Sequence, residues 1–346
     1  MAAVSGIAAG RWRRSAGVWV ATGLLFAISA VFQPQSLAGS ALSALWPFAA
    51  VLILAAVGQT LVVQQRGIDL SVPGFISLTV VLVTHLPNGN SGKLLPAILL
   101  AYAICLAAGL VNGLLVTRVG LPSLAVTIGT LALYRGVALI LLGANTVSDF
   151  PSTYTNIGVL PLPHTQIPYN IAIFVVLAVI FAIVLHATAT GRSIYAMGAS
   201  PEAALFAGIR VKRVKTMLFA VSGLVCAMAG VLWTFRLSTA VQNNGLGLEL
   251  DVVAIVLLGG VSIFGGKGTL AGVVLAVIAF AGLQNALLLT NFNQEATGIV
   301  IGALLLVSVF APNAGRLRQL GLPRWARGRS GRTTPPPSSS LGALRE

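Results

Sequence analysis

The chain has 346 residues, of which 57% are hydrophobic and only 8% are charged. Soluble domains carry about 25% charged residues, so this chain has too few to cover a water-facing surface of its size. The composition therefore excludes a soluble protein and indicates an integral membrane protein. A net charge of +14 would suggest nucleic acid in a soluble chain, but here basic residues report membrane orientation, and we expect no nucleic-acid partner.

Residues that carry catalysis or bind metals are scarce. Cys105 and Cys226 both lie in apolar runs, which excludes a disulfide framework and a CxxC zinc site. The histidines His85, His164 and His186 are far apart, and no HExxH spacing occurs. No nucleophile lies at a suitable spacing from a base. We therefore expect no catalytic residue, no metal and no cofactor, and we do not expect an enzyme.

Long apolar runs follow one another along the chain. Because a spanning helix needs about 17 to 25 apolar residues, the runs predict an all-α integral membrane protein, a polytopic bundle of about ten transmembrane helices. They cover residues 17–32, 42–63, 68–86, 94–116, 122–142, 168–186, 217–235, 251–264, 270–289 and 298–311. The weakest are 68–86, which contains Pro73, and 251–264, which is short. Either is a candidate for a broken or re-entrant segment, which the membrane tolerates only where protein buries the backbone.

The positions of the basic residues predict the topology. With the N-terminus in the cytoplasm, every lysine and arginine except Lys93, Arg135 and Arg236 falls on the cytoplasmic side of ten crossings. Both termini are then cytoplasmic. The predicted organisation is a basic N-terminus at 1–16, a transmembrane domain at 17–311 and a disordered basic tail at 312–346, which is rich in arginine, proline and serine.

The first polar segment of interest is 67–71, at the start of the third run. An aspartate at the mouth of a helix suits capping, so the favoured interpretation of Asp69 is a helix cap. Because Ser71, Pro73 and Gly74 follow directly, the alternative is a helix interruption that lines a transport path.

The loop 190–215 is the longest and most basic predicted cytoplasmic connection. Ser200, Pro201 and Glu202 give an N-cap, a proline at the first helical position and an acid in the first turn. These signals predict a helix over 201–207 that ends at Gly208. Nothing in an isolated loop covers its Leu205 and Phe206, so the helix should dock. Periodicity leaves two targets open: the protein's own helix ends and the lipid headgroups, or a groove on a cytoplasmic partner.

A glycine-rich stretch occupies 258–269. It does not match a phosphate-binding loop, because Gly268 separates Lys267 from Thr269. We therefore expect that this chain does not bind ATP. In a membrane, glycines let helices approach closely, and paired glycines also predict a sharp turn between two spans.

Four segments in order carry a family resemblance. They are GIDLSV at 67–72, GLVNGLLVTRVGLPSLAVTIGTLALYRGVALIL at 109–141, TGRSIYAMGASPEAALFAGIRVKRVK at 190–215 and ELDVVAIVLLGGVSIFGGKGTLAG at 249–272. With them the chain resembles the permease subunits of bacterial ATP-binding-cassette importers for monosaccharides, the ribose, xylose, rhamnose and autoinducer-2 group. The chain departs from the usual pattern at Ala199-Ser200, where Gly-Asn is common, and at Pro73, where the family usually has glycine.

The resemblance implies an assembly that imports a sugar or sugar-like solute by alternating access. The protein partners of this chain are then one or more cytoplasmic ABC ATPase subunits, a second permease copy or paralogue, and a periplasmic or lipid-anchored solute-binding protein. The chain itself is surrounded by membrane lipid, in a bacterial inner membrane. In this family the helix between two spans docks on the ATPase. The ATPase-coupling candidates are Pro201, Glu202, Ala203, Ala204, Leu205 and Gly208.

The resemblance points less sharply to a translocation path. The path candidates are Asp69, Ser71, Asn112, Thr127 and Thr130, polar residues in the matching segments. For each of them, a hydrogen bond to a neighbouring helix is the favoured alternative. The sequence is somewhat closer to the rhamnose and autoinducer-2 branch than to ribose.

A rival interpretation is an ion-coupled secondary transporter. Such a transporter needs an ionisable residue deep in the membrane to hold the coupling ion. In this sequence every acid lies near a predicted span end or in a loop. The sequence therefore favours the importer.

Overall fold

The computed structural model describes residues 39–289, except 144–145, 156, 158–159, 161 and 164–168, and a few residues between 298 and 306. All of them belong to one compact unit, Met1–Val309. The helices are α1 Gly39–Gln64, α2 Val72–His85, α3 Leu94–Leu114, α4 Ser123–Leu142, α5 Tyr169–Ala187, α6 Ala189–Ala199, α7 Pro201–Phe206, α8 Val211–Leu237, α9 Leu248–Leu258 and α10 Leu270–Leu289. A π-helical turn, Leu115–Val119, extends α3. The predicted segments 1–16, 17–32 and 312–346, and most of 298–311, lie outside the described residues.

Several of these helices are long and apolar enough to cross a membrane. Among the described residues four qualify alone, at Ser91–Val119, Ser123–Leu142, Val211–Leu237 and Leu270–Leu287. The pair Ile171–Ala187 and Ala189–Ala199 qualifies together but is bent by 66°. Shorter apolar stretches cover Phe48–Gln64 and Val72–His85. The predicted helical membrane bundle is confirmed, and the number of ten crossings stays a prediction.

The two weakest predicted spans are half-length helices. α2 has 14 residues and α9 has 11, or about 21 Å and about 17 Å at 1.5 Å per residue. Both are shorter than a hydrocarbon core of about 30 Å. Irregular, mostly buried backbone at 65–71 precedes α2, and a glycine-rich turn follows α9. At both places the helix is shorter than the predicted span, which favours the broken-segment alternative.

Contacts between loops define two ends of the bundle. At one end Gln64 Nε2 donates to the carbonyl of Lys267 at 3.2 Å. At the other end the amide of Gly89 donates to the carbonyl of Asp149 at 2.7 Å. We call the first the basic end, because Arg66, Lys267 and Arg210, the N-cap of α8, lie there. We call the other the opposite end.

Small residues allow α3 and α8 to pack closely. A Cβ on Gly109 would lie 2.5 Å from the carbonyl oxygen of Phe219, and one on Gly113 would lie 2.7 Å from that of Thr216. Glycines four residues apart on one helix face let two backbones approach in lipid. This contact places α8 in the middle of the bundle, where it also packs against α1 and α2.

Apolar side chains also cover the outside of the bundle. On α3 and α4, Leu95 is 64% exposed and Ile140 is 81% exposed. Contiguous exposed leucine and isoleucine on long helices fit hydrocarbon rather than water. These two helices therefore present a lipid-facing surface.

Candidate coupling and translocation site

The short helix α7 forms where the cap signals place it. The hydroxyl of Ser200 accepts a hydrogen bond from the amide of Ala203 at 3.3 Å, and Pro201 occupies the first turn. Gly208, with φ of +80°, ends the helical backbone in a left-handed conformation that favours glycine. The predicted helix start and stop are confirmed.

The two faces of α7 have different surroundings. Ala204 is 3% exposed and packs in a cluster with Leu61, Ile194 and Met197. Leu205 is 64% exposed and Phe206 is 94% exposed. Ala204 therefore anchors the helix to its own protein, and its role in coupling stays a prediction. The uncovered face also carries Glu202 and Ala203, and its large apolar side chains are Leu205 and Phe206.

An arginine ties the end of α1 to the segment before α7. Arg66 Nε donates to the carbonyl of Gly198 at 2.8 Å, and Arg66 Nη2 donates to the carbonyl of Ala199 at 2.6 Å. Ala199 directly precedes the capping residue Ser200. Each bond carries the guanidinium charge, which makes it stronger than a neutral hydrogen bond.

The glycine-rich turn after α9 joins the same contact. The amide of Gly266 donates to the carbonyl of Gln64 at 3.0 Å. A Cβ on Gly198 would lie 1.9 Å from the Gln64 carbonyl oxygen, so no larger residue fits at 198 without moving backbone. We call Gln64, Arg66, Gly198 and Gly266 the basic-end clamp. It fastens the ends of α1, α6 and α9 to one another beside α7.

Asp69 lies three residues beyond Arg66 and is 1% exposed. Its carboxylate accepts hydrogen bonds from the amide of Ser71 at 3.0 Å, from the hydroxyl of Ser71, and from the hydroxyl of Ser222 on α8 at 3.0 Å. Ser71 is the N-cap of α2, and its own side chain makes no cap hydrogen bond. Asp69 accepts the amide of this N-cap residue, in line with the cap interpretation, and its second oxygen also binds α8.

The bonds continue from Ser71 into α3 and α4. Asn112 Nδ2 donates to Ser71 Oγ at 2.9 Å, and the hydroxyl of Tyr134 donates to Asn112 Oδ1 at 3.0 Å. We call Asp69, Ser71, Asn112, Tyr134 and Ser222 the polar cluster. It joins the irregular segment before α2 to α3, α4 and α8.

The two threonine candidates lie beside this cluster on α4. Thr127 Oγ1 donates to the carbonyl of Ile68 at 3.3 Å, and Thr130 Oγ1 donates to the carbonyl of Val126 at 3.0 Å. The amide of Ile68 also donates to Ser123 Oγ at 3.1 Å. The structure therefore brings four of the path candidates together around 67–71, whereas Thr130 bonds carbonyls of its own helix. Each of the five makes hydrogen bonds to protein.

Two acids are buried, contrary to the sequence argument against an ion-coupled transporter. Asp251 in the first turn of α9 is 8% exposed and accepts a bond from Gln284 Nε2 at 3.3 Å. Asp69 is more deeply buried. Both acids lie at the start of a helix, as the predicted span ends imply, but their burial weakens the sequence argument against ion coupling.

Other buried polar side chains make no hydrogen bond. Asn244, in the turn before α9, is 2% exposed, and Gln59 on α1 is 0% exposed. Neither the amide nitrogen nor the amide oxygen of either side chain has a partner. These side chains are as buried as those of the polar cluster, but they lack the hydrogen bonds that the cluster makes.

Sequence reasoning missed Arg66, Tyr134, Ser222 and Asn244 as site residues. Arg66 adjoins the GIDLS segment, so its place beside a polar motif was a usable signal. Ser222 and Asn244 carry no such signal, because their neighbours come from distant parts of the chain. In the described part of the chain, no group of three histidine, cysteine or acidic side chains is placed to hold a metal.

The fold and site define a polytopic membrane transport permease. Residues 41–309 match the family described as the branched-chain amino acid transport system / permease component, and the chain belongs to that family. Members of this family are transport components and not enzymes, and this chain is accordingly a multi-pass inner-membrane permease.

The curated relatives cover most of the chain. It is 32% identical over 299 residues to the autoinducer 2 import system permease protein LsrC of Yersinia enterocolitica, covering 85% of this chain and 80% of that protein. It is 33% identical over 332 residues to the LsrC protein of Escherichia coli O157:H7, covering 93% and 94%. The LsrC protein of an Enterobacter strain is 32% identical over 312 residues, covering 88% of each. No solved structure matches the chain.

Proposed function

We propose that this permease is the membrane subunit of an ATP-binding-cassette importer and that separate ATPase subunits power it. The solute crosses by alternating access, and the chain supplies passage without chemistry. The observation that carries this proposal is the geometry of α7, with one face anchored in the protein and the other uncovered at the basic end.

The exposed face of α7 is chemically suited to a protein groove. Phe206 is 94% exposed, and aromatic side chains commonly dominate the binding energy of protein interfaces. The helix is six residues long, and so short a helix is marginal in water without tertiary contacts. Anchoring by Ala204 therefore makes α7 a fixed projection. We assign its exposed face to the cytoplasmic ATPase.

The basic-end clamp and the polar cluster provide a route from α7 into the membrane. Movement of α7 pulls on Ala199, which Arg66 holds directly. Arg66 lies three residues before Asp69, which is bonded to α8. A displacement of α7 is thus passed to the start of α2 and to α8 through hydrogen bonds and a short piece of backbone. We propose this route as the coupling path.

The solute is a sugar or sugar-like molecule. The relatives named above are autoinducer 2 import permeases, which favours autoinducer 2 within the rhamnose and ribose class. The partners are one or more ATPase subunits, a second permease copy or paralogue, and a periplasmic or lipid-anchored solute-binding protein. The proposed orientation places both termini and the basic end in the cytoplasm, in line with the basic residues at that end.

The docking assignment is tested by co-purifying the permease with its cognate ATPase from membranes. We expect Phe206→Ser to reduce the recovered ATPase by about tenfold, the effect of losing about 1.4 kcal/mol at an aromatic contact. The matched control is Val119→Ser, which removes an exposed side chain, 64% exposed, in the π-helical turn at the same end. It should leave the recovery unchanged. Full recovery with Phe206→Ser would remove the assignment.

An ion-coupled transporter remains the alternative, because Asp69 and Asp251 are buried. The bonds that Asp69 accepts from Ser71 and Ser222 engage both of its oxygens, which favours a structural role. Uptake that collapses with the proton gradient while ATP is held constant would support the alternative.

A further inference from the structure

The two half-helices begin at one place inside the protein. Gly245, in the turn before α9, packs against the start of α2, and a Cβ on Gly245 would lie 3.3 Å from the carbonyl oxygen of Pro73. From this point α2 runs to the opposite end and α9 runs to the basic end. Non-helical backbone at membrane depth is tolerated only where protein buries it or where it lines a water-filled cavity.

Asn244 lies at this junction and has no hydrogen-bond partner for its side chain. Its backbone amide is used in the turn, where it donates to Val241 at 3.2 Å. The side-chain nitrogen and oxygen are both unpaired although the residue is only 2% exposed. Buried polar atoms in proteins are nearly always bonded, and leaving an amide unpaired is costly. Gln59 and Gln65 are unpaired in the same way, but Asn244 lies next to Gly245, in the turn where the two half-helices begin. Its position together with its free side chain makes it the candidate.

The path candidates from the sequence do not share this property. Asn112, the other asparagine that is buried among the described residues, has its nitrogen bonded to Ser71 and its oxygen bonded to Tyr134. Its hydrogen-bonding capacity is used to hold helices together. Asn244 has both a donor and an acceptor free for a molecule that passes the junction.

We propose that Asn244 is a solute contact of the translocation path, located where α2 and α9 begin. The proposal rests on the proposed import function and deepens it by naming a contact. The solute is a neutral, hydroxyl-rich molecule, because an amide pairs with hydroxyl groups as both donor and acceptor. An anionic solute is disfavoured because Glu249 and Asp251 occupy the first turn of α9, where their carboxylates offset the attraction of a helix N-terminus for anions.

Cysteine labelling tests the proposal on the permease assembled with its ATPase in proteoliposomes. Asn244→Cys and Thr127→Cys are treated with a permanently charged methanethiosulfonate, with and without ATP, and each cysteine is read by peptide mass spectrometry. Thr127 is the matched control, since it is 0% exposed and bonded to protein. The native Cys105 and Cys226, both 0% exposed, serve as internal references.

We expect Asn244→Cys to react in at least one nucleotide state while the cysteine at 127 and the native cysteines stay unmodified. Autoinducer 2, ribose and rhamnose are then added in turn as probes. At ten times its dissociation constant the transported solute should slow the reaction about tenfold. By mass action only about a tenth of the sites are then free to react.

Two outcomes would overturn the proposal. One is an Asn244→Cys permease that transports yet never reacts in any nucleotide state. The other is a reaction that no probe slows at a concentration that saturates uptake. A different result would contradict the proposed function alone: the cysteine is labelled and the solute protects it, but uptake does not depend on ATP. The solute contact at Asn244 would then hold, and the ATP-driven import would not. Failure of the contact and failure of the proposed function are thus distinguishable.

A kinetic measurement provides a second readout. Asn244→Ala should raise the KM of uptake by about fivefold, the equivalent of one hydrogen bond of about 1 kcal/mol, while kcat changes less. A fall in kcat with unchanged KM would assign Asn244 to the gating motion instead and would overturn the solute contact.

Discussion

The polar cluster and Asn244 are equally buried, yet only the cluster is internally bonded. Asp69 is 1% exposed and its carboxylate accepts three hydrogen bonds, whereas Asn244 is 2% exposed and its side chain accepts and donates none. Burial alone therefore does not distinguish these two sites. Their hydrogen bonds do, because the carboxylate of Asp69 is used within the protein, whereas the amide of Asn244 keeps its capacity for the solute contact proposed above.

The largest expected effect comes from removing the acceptor at the centre of the cluster. Asp69→Ala leaves the amide and hydroxyl of Ser71 and the hydroxyl of Ser222 without their partner, and unpaired buried groups are costly. We expect a loss of about 3 kcal/mol of stability. A fluorescence-detected thermal melt of the detergent-purified permease measures it. A melting temperature equal to that of the unaltered protein would show that the cluster does not hold these helices together.

The second effect concerns the link from α7 to the cluster. Arg66→Ala removes both bonds to the carbonyls before α7, and we expect ATP-driven uptake to fall about tenfold, the loss of about 1.4 kcal/mol of coupling. The ATPase should still co-purify, because the exposed face of α7 is unchanged. Arg66→Lys is the control and should restore part of the uptake, since one ammonium can reach one carbonyl. If the uptake by Arg66→Ala were unchanged, Arg66 would not be part of the coupling path.

A smaller effect is expected at the edge of the cluster. Tyr134→Phe removes one hydroxyl and leaves the ring, which stacks on Phe75 with centroids 5.1 Å apart. Asn112 Oδ1 then loses a donor, and the expected cost is about 1 kcal/mol, measured by the same melt. A loss as large as that of Asp69→Ala would mean that Tyr134, and not Asp69, organises the cluster.

The smallest effect on stability is expected at Asn244. Because its side chain has no partner, Asn244→Ala breaks no hydrogen bond, and we expect the melting temperature to stay the same or rise slightly. A drop comparable to that of Asp69→Ala would place Asn244 among the bonded structural residues. The contrast drawn between the two regions would then be wrong.

Local signals in the sequence predicted local structure. The cap at Ser200, the proline at 201 and the glycine at 208 correctly predicted α7, and the paired glycines correctly predicted the turn after α9. Apolar run length correctly predicted the membrane bundle and correctly marked 68–86 and 251–264 as the weakest spans. Each of these features depends on residues that are neighbours along the chain.

Tertiary partners were not predictable in the same way. Ser222 donates a hydrogen bond to Asp69, which is 153 positions away in the sequence. The carbonyl of Gly198 accepts a hydrogen bond from Arg66, which is 132 positions away. The local pattern of Asp69 predicts its bond to the start of α2 but contains no signal for its second bond, to α8. Likewise, the direction of Ala204 into the protein depends on α1 and α6, which the periodicity of a six-residue helix does not specify.

The central claim is that energy enters this permease from separate ATPase subunits. The most direct test is uptake of autoinducer 2, ribose and rhamnose into proteoliposomes that contain the permease and its solute-binding protein, with and without the ATPase. We predict that one of these solutes accumulates only when both the ATPase and ATP are present. Accumulation by the permease without the ATPase, or accumulation that follows an imposed proton gradient, would contradict the account.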